Sequence, residues 1–153
     1  MKKLKNSELN RISIEEFKNS SKTPIKVLLD NIRSAHNVGS IFRSCDAFLI
    51  DEIILCGITA KPPNKEIRKT ALGSTDSVKW SYFENIQDAI LKLKKEKYQI
   101  ISIEQADKST ELENFKIKSE KKYAIIFGNE INGVNQKVID LSDDVVEIPQ
   151  FGT

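Results

Sequence analysis

Tyr123-Ala124-Ile125-Ile126-Phe127 runs directly into Gly128-Asn129-Glu130. An unbroken apolar run of strand length stopped by a Gly-Asn pair reads as a strand buried on both faces, the kind found in parallel sheets covered by helices. If that reading holds, strands and helices should alternate along the chain, and they do. Residues 25–29 form a first strand that ends at Asp30-Asn31. Val38, Ile41, Phe42, Cys45 and Phe48 then recur at three- and four-residue steps, giving one apolar helix face, with Ser34 or Asn37 as its cap and Arg43 on another face. Residues 52–56 form a second strand, followed by Gly57 and the breaker Lys61-Pro62-Pro63-Asn64. A short basic helix spans 65–72 and is closed by Gly73. Residues 77–80 suggest a third strand, 85–97 an amphipathic helix, and 99–104 a fourth strand. After the fifth strand at 123–127, a helix is expected from Gly128-Asn129-Glu130 to about Leu141, then a sixth strand at 145–148. The expected fold is α/β, a mostly parallel sheet with helices on both faces.

Length and composition set the bounds. A chain of 153 residues with 39% hydrophobic and 30% charged residues suits one compact domain and excludes a multidomain machine. Residues 1–24 read as a basic extension with one short helix anchored by Ile12, Ile14 and Phe17, and 25–153 as the domain. The net charge of +2 is too small to argue for a nucleic-acid partner by itself. Its distribution says more, because residues 1–26 hold seven basic and three acidic side chains, net +4, leaving 17 against 19, net −2, for the remainder. Cys45 and Cys56 lack metal-ligand spacing with each other or with His36, so they read as reduced packing residues and no metal is expected. With no membrane-spanning apolar run and no signal-peptide core, a cytoplasmic protein is expected.

In an open parallel sheet, ligands bind beyond the carboxyl ends of the strands, which directs attention to the loops after Leu29, Glu104, Phe127 and Ile148. The first carries Asn31, Arg33, His36 and Asn37; the loop after Phe127 carries Gly128, Asn129, Glu130, Asn132 and Gly133; the last carries Pro149, Gln150 and Gly152. No three-glycine dinucleotide fingerprint or phosphate-loop lysine is present, which argues against an ordinary nucleotide site.

Three strings carry a family resemblance. Asn37-Val38-Gly39-Ser40-Ile41-Phe42-Arg43-Ser44-Cys45-Asp46-Ala47-Phe48 resembles the first signature of the SpoU/TrmH class of SPOUT RNA methyltransferases. Phe127-Gly128-Asn129-Glu130-Ile131-Asn132-Gly133-Val134 is similar to the second, and Glu147-Ile148-Pro149-Gln150-Phe151-Gly152-Thr153 to the opening of the third. Each string is weak alone; together, in matching order and spacing, they are strong, and the likeness covers residues 25–153.

The resemblance implies methyl transfer from S-adenosylmethionine to a ribose 2′-hydroxyl of structured RNA, tRNA ahead of ribosomal RNA, by a homodimer. It also implies a C-terminal trefoil knot, a rare exception to unknotted connectivity. By the same resemblance, Ile103, Glu104, Gln105, Gly128 and Ile148 hold the cofactor, Gly128 by letting backbone approach a flat adenine or ribose. Arg43 matches the catalytic arginine, with Asn37 beside it and Glu130 as polar partner. Since guanidinium does not ordinarily deprotonate, Arg43 is read as binding a phosphate and stabilising developing alkoxide charge, with an activated-base role left open. Glu130 has a structural alternative, as an acid favourable to a helix dipole.

Two departures stand out. The third signature ordinarily continues into a Ser-Leu-Asn stretch and a final helix, whereas this sequence stops at Thr153, so an incomplete knot, weak cofactor binding and low activity are expected of the chain as it stands. Leu49 occupies a position where relatives place Gly, which touches local turn geometry. Arg33, Lys61, Lys65, Arg68 and Lys69 are the candidate RNA contacts, beside the N-terminal lysines, while Lys92, Lys94, Lys95 and Lys97 read as the wet face of a helix. His36 reads as a loop or cap residue, no carboxylate being placed to orient it at a recognisable spacing. A noncatalytic RNA-binding module on the same scaffold is the alternative function.

Overall fold

The computed structural model describes residues 1–152; Thr153, the last residue of the third signature, lies outside them. In chain order the elements are α1 (Ile14–Asn19), β1 (Thr23–Asp30), α2 (Ala35–Ala47), β2 (Ile50–Cys56), α3 (Lys65–Ala71), α4 (Ser74–Ser77), β3 (Trp80–Phe83), α5 (Ile86–Lys95), β4 (Tyr98–Ile103), β5 (Thr110–Glu111), β6 (Lys122–Phe127), α6 (Gln136–Ile139) and β7 (Asp144–Glu147). The strands form one sheet in the order β3-β2-β1-β6-β4-β7-β5, and every pairing is parallel.

Two apolar layers sandwich this sheet, as expected. On one face Val27, Leu29, Ile53 and Leu55 pack with Val38, Phe42 and Cys45 of α2 and Ile67 of α3, and Phe17 of α1 closes the layer. On the other, Leu28, Ile54, Ile100 and Ile126 meet Ile86, Ala89, Ile90 and Leu93 of α5, with Val134 and Val138 beside them. The alternation of sides along β1 and β2 follows the two-residue period of a strand. α2 and α3 cross tightly, because a Cβ on Gly39 would overlap Thr70 Oγ1 and the Ile67 carbonyl.

Four local expectations are corrected. No helix starts at Gly128: residues 128–135 form a loop pinned by the Asn129–Gly133 bridge, and the helix is only α6. The third strand is Trp80–Phe83 rather than 77–80, since Ser74–Ser77 make a helical turn in which the Ser77 hydroxyl donates to Ser74 carbonyl at 3.1 Å. β5 is a seventh strand, two residues long and too brief for a periodic signal. α3 is capped by Leu72 in the left-handed region (φ 50), and Gly73 (φ 94) opens α4 instead. Of the two caps considered for α2, Ser34 serves, accepting from the Asn37 N–H. Both cysteines are buried, which pushes each thiol up to about 12. Among the described residues, no helix is long and apolar enough to cross a membrane.

Candidate active site at the carboxyl edge

Sheet order decides which loops meet. β1, β6, β4 and β7 are consecutive, and Phe127 pairs with both Leu29 and Ile103, while Ile103 also pairs with Val146. The segments that follow, beginning at Asn31, Gly128, Glu104 and Ile148, therefore emerge side by side although they lie far apart in sequence.

Glu130 is the centre of the arrangement. Its carboxylate accepts the N–H of Arg33 at 2.9 Å, the N–H of Ser34 at 3.0 Å, and the Asn37 side-chain amide at 2.9 Å. Two of these donors are the backbone N–H groups that lead into α2 and the third is a side chain in its first turn, so Glu130 fixes the start of a helix nearly a hundred residues away and places negative charge where its dipole favours it. Burial disfavours its charge, yet the backbone N–H groups of Arg33 and Ser34, its own N–H and the Asn37 amide outweigh that and hold it down to about 2.

Asn129 and Asn31 reinforce the joint. The Asn129 amide donates to the Asn31 carbonyl at 2.8 Å, and its Oδ1 accepts from Ile131 and Asn132 N–H. Asn31, itself left-handed at φ 54, accepts from Ile58 N–H and donates to Asp30. Glu104 ties the loop after β6 to the end of β4: Oε2 accepts the Val134 N–H at 2.7 Å and Oε1 the Gln105 N–H at 2.8 Å. Gly133 (φ 63) leaves room for that carboxylate, which a Cβ would overlap. The need for glycine at 128 differs from the expected one: a Cβ there would overlap the Gly133–Val134 backbone, so the requirement is already set by the chain's own loop.

Arg43 is exposed and takes part in none of the described ion pairs. It lies six residues beyond Asn37 on α2, about 9 Å further along the axis by helical rise. The structure thus joins Asn37 to Glu130 and leaves Arg43 as a free guanidinium down the same helix.

The expected RNA contacts diverge. Arg33 is exposed beside the clasp and Lys65 is exposed at the start of α3. Lys61 Nζ sits 3.7 Å above the Tyr82 ring, whose hydroxyl donates to the Gly57 carbonyl. Lys69 is engaged by Glu66 at 2.8 Å. Glu66 also reaches His36 Nε2 at 3.1 Å, so a carboxylate does orient that histidine, contrary to the sequence expectation. Arg68 turns into a cleft with Pro62, Pro63 and Trp80.

Asn31 has no sequence signal beyond the polar content of its loop, and Thr59 carries none. Thr59 is buried and ties the turn after β2 to the end of β1, accepting Ile32 N–H and donating to Leu29 carbonyl, both at 3.0 Å. The paired turns of β1 and β2 that create this bridge leave no periodic trace in sequence.

An α/β sheet whose second signature string, in the loop after β6, is clasped to the start of α2, the helix that carries the first, has the arrangement of a SPOUT-type scaffold. The chain belongs to the SpoU rRNA Methylase family, whose model matches residues 24–153. It is 32% identical over 139 residues to a protein of Borreliella burgdorferi named "Uncharacterized tRNA/rRNA methyltransferase", covering 91% of this chain and 59% of that one. It is 28% identical over 145 residues to the 23S rRNA (guanosine-2'-O-)-methyltransferase of Neisseria meningitidis, covering 94% and 57%. The AdoMet-bound rRNA methyltransferase of Sinorhizobium meliloti superposes with a TM-score of 0.79 at 26% identity, covering 89% of this chain and 52% of that structure. The chain therefore spans less than two thirds of the length of these relatives.

The residues at the carboxyl edge suit such a cofactor. Ile103, half-buried at the end of β4, and Ile148, 47% exposed just past β7, leave apolar surface at neighbouring strand ends, beside the Glu104 carboxylate, a lining compatible with a purine nucleoside.

Proposed function

We propose that this protein transfers the methyl group of S-adenosylmethionine to a ribose 2′-hydroxyl of structured RNA, with tRNA a better substrate than ribosomal RNA. The observation that carries the reading is the Glu130 clasp, which fastens the second signature onto the helix that begins with Asn37 and bears Arg43. Bound at the edge, the cofactor supplies an electrophilic methyl group on a sulfonium. Ile103, Glu104, Gln105, Gly128 and Ile148 would hold it, at the ends of three neighbouring strands. Glu130 and Asn37 orient the start of α2, and that orientation aims Arg43. The Arg43 guanidinium grips the phosphate beside the target ribose and stabilises charge developing on the 2′-oxygen. Alignment of that oxygen with the methyl group provides much of the remaining acceleration.

The same reading includes the knot and the dimer. β7 enters the sheet between β4 and β5, so the chain returns inside an edge it has already laid down, the placement a threaded C-terminus requires. Ile131 at 70%, Ile148 at 47% and Phe151 at 97% exposure leave apolar surface on the carboxyl side for a second copy. The cytoplasm supplies both RNA and cofactor. Relative to a noncatalytic RNA-binding module, catalysis is favoured by the exposed Arg43, which is in none of the described ion pairs and lies on the helix whose start the clasp fixes.

Transfer of labelled methyl to tRNA and ribosomal RNA transcripts tests the proposal. Label on ribose 2′-oxygens that disappears with Arg43→Ala is the expected result. Tight binding of RNA and cofactor by the wild-type protein without any label would establish the noncatalytic module in its place.

A further inference from the structure

A cavity of about 530 Å³ opens at the amino ends of the strands, away from the clasped edge, and a second of about 350 Å³ adjoins it. The two share Thr75, Asp76 and Trp80, so they form one groove past the start of β3, between the 75–80 segment and the 62–68 segment. Trp80 and Tyr82 stand on the same face of β3, paired with Ile53 and Leu55 of β2, which face the α2 layer. Trp80 is half-buried at the bend of the groove, and Tyr82 is 37% exposed under the Lys61 ammonium. Phe83, the last residue of β3, is level with Cys56 at the carboxyl edge. Trp80 is thus roughly 10 Å below that edge by strand rise.

Four of the lining residues are cationic. Arg68 lines the upper cavity, and Lys18, Lys22 and Lys79 the lower one. Lys22 is turned onto the Phe17 and Ser20 carbonyls. Lys79 keeps 68% of its side chain exposed while touching Glu52 at 3.7 Å. Against these stand two acids. Asp51 faces Lys26 at 3.9 Å and the Tyr98 hydroxyl at 3.3 Å, and Asp76 is exposed where the two cavities meet.

We propose that this groove, together with the Tyr82–Lys61 pair that adjoins it, is a track for an unpaired segment of substrate RNA, with bases stacked on Trp80 and Tyr82 and phosphates held by Lys61, Arg68 and Lys79. The inference rests on the reading that RNA is the substrate, and it adds where the strand runs beyond the nucleotide that is methylated. Neighbouring aromatic rings and cations along and beside an open groove match how single strands are bound: rings take any base, and cations follow the backbone. A fully cationic wall would hold any polyanion, duplex included; the aromatic pair is what selects unstacked bases.

The chain has a single tryptophan, so its emission reports this groove directly. Titrating the full chain with an oligouridylate of roughly ten nucleotides should quench that emission saturably. The quench should weaken as salt rises. Arg68→Glu and Lys79→Glu should each weaken binding about tenfold. Asp76→Asn, which removes the acid at the junction, should tighten it at least about twofold, a gain that a misfolded variant cannot imitate. Emission that stays unchanged while a labelled oligonucleotide saturates by anisotropy, or no binding of the oligonucleotide at all, overturns the proposal. So does weaker binding by Asp76→Asn. Methyl transfer is assayed separately: transfer without quenching removes the groove and keeps the enzyme, and quenching without transfer does the reverse.

Discussion

Glu130 shows how one carboxylate can tie together two loops nearly a hundred residues apart. Three donors converge on it from the start of α2, and they hold its proton affinity far below the ordinary carboxylate range, to about 2. Glu130→Gln keeps the shape but replaces one accepting oxygen with an amide that opposes the Arg33 or Ser34 N–H. We expect a loss of about 1 kcal/mol in stability, the exposed position reducing what charged hydrogen bonds otherwise contribute. Methyl transfer should fall much further, because the start of α2 is no longer fixed. Thermal melting beside single-turnover transfer separates the two effects, and equal losses in both would assign Glu130 a purely structural role. Gly128→Ala should destabilise by about 1–3 kcal/mol through overlap with the Gly133–Val134 backbone. The loss should appear in melts without cofactor present, which distinguishes an internal packing requirement from a contact to adenine. Arg43→Ala, at an exposed and unpaired position, should leave the melting temperature nearly unchanged while abolishing transfer and sparing cofactor affinity.

Among elements, legibility in the sequence tracks how long a periodic pattern persists. β1, β2, β4 and β6 were readable because each buries several consecutive apolar residues, and α2 and α5 because their apolar residues recur at helical spacing. The segment 128–135 was misread as helix because Ile131 and Val134 sit at helical spacing. There Asn129 takes over the local N–H groups and Gly133 turns left-handed, so side-chain hydrogen bonding overrides periodicity. Of the site, the residues were legible through the family strings, whereas the partnership of Glu130 with Arg33 and Ser34 was not, because strand order brings those loops together. The buried pair joining β1 to β2 was equally silent. Lys26 Nζ lies 2.8 Å from Glu52, with both residues under a tenth exposed. Burial disfavours both charges, but each partner holds the other ionised, raising the lysine and lowering the glutamate. Lys26→Met alone should cost about 3–5 kcal/mol by stranding a buried carboxylate, and adding Glu52→Leu should restore most of it. Urea denaturation of the single and double variants measures the coupling, and additive losses would show that the two charges act independently.

Over the whole molecule, three carboxylates set opposing pH dependences. Glu52 and Glu130 titrate below their unfolded values, so the stability they confer is present above the unfolded carboxylate range and disappears as pH falls through their folded values. Asp30 behaves oppositely. It is 5% exposed at the end of β1, and burial raises its value against a single hydrogen bond donated by the Asn31 amide. Folding therefore favours protonated Asp30, and its charge works against the fold once pH rises above its folded value. Asp30→Asn retains an acceptor for the Asn31 amide and removes that charge. It should raise stability by about 1 kcal/mol at neutral pH, with the gain fading as pH falls through the Asp30 range and absent once wild-type Asp30 is protonated in both states. Melting temperatures of the two proteins followed from neutral to acid pH give the measurement: curves that converge on acidification support a desolvated carboxylate at the end of β1. A constant offset at every pH would instead place the effect of Asp30 in its hydrogen bond to Asn31.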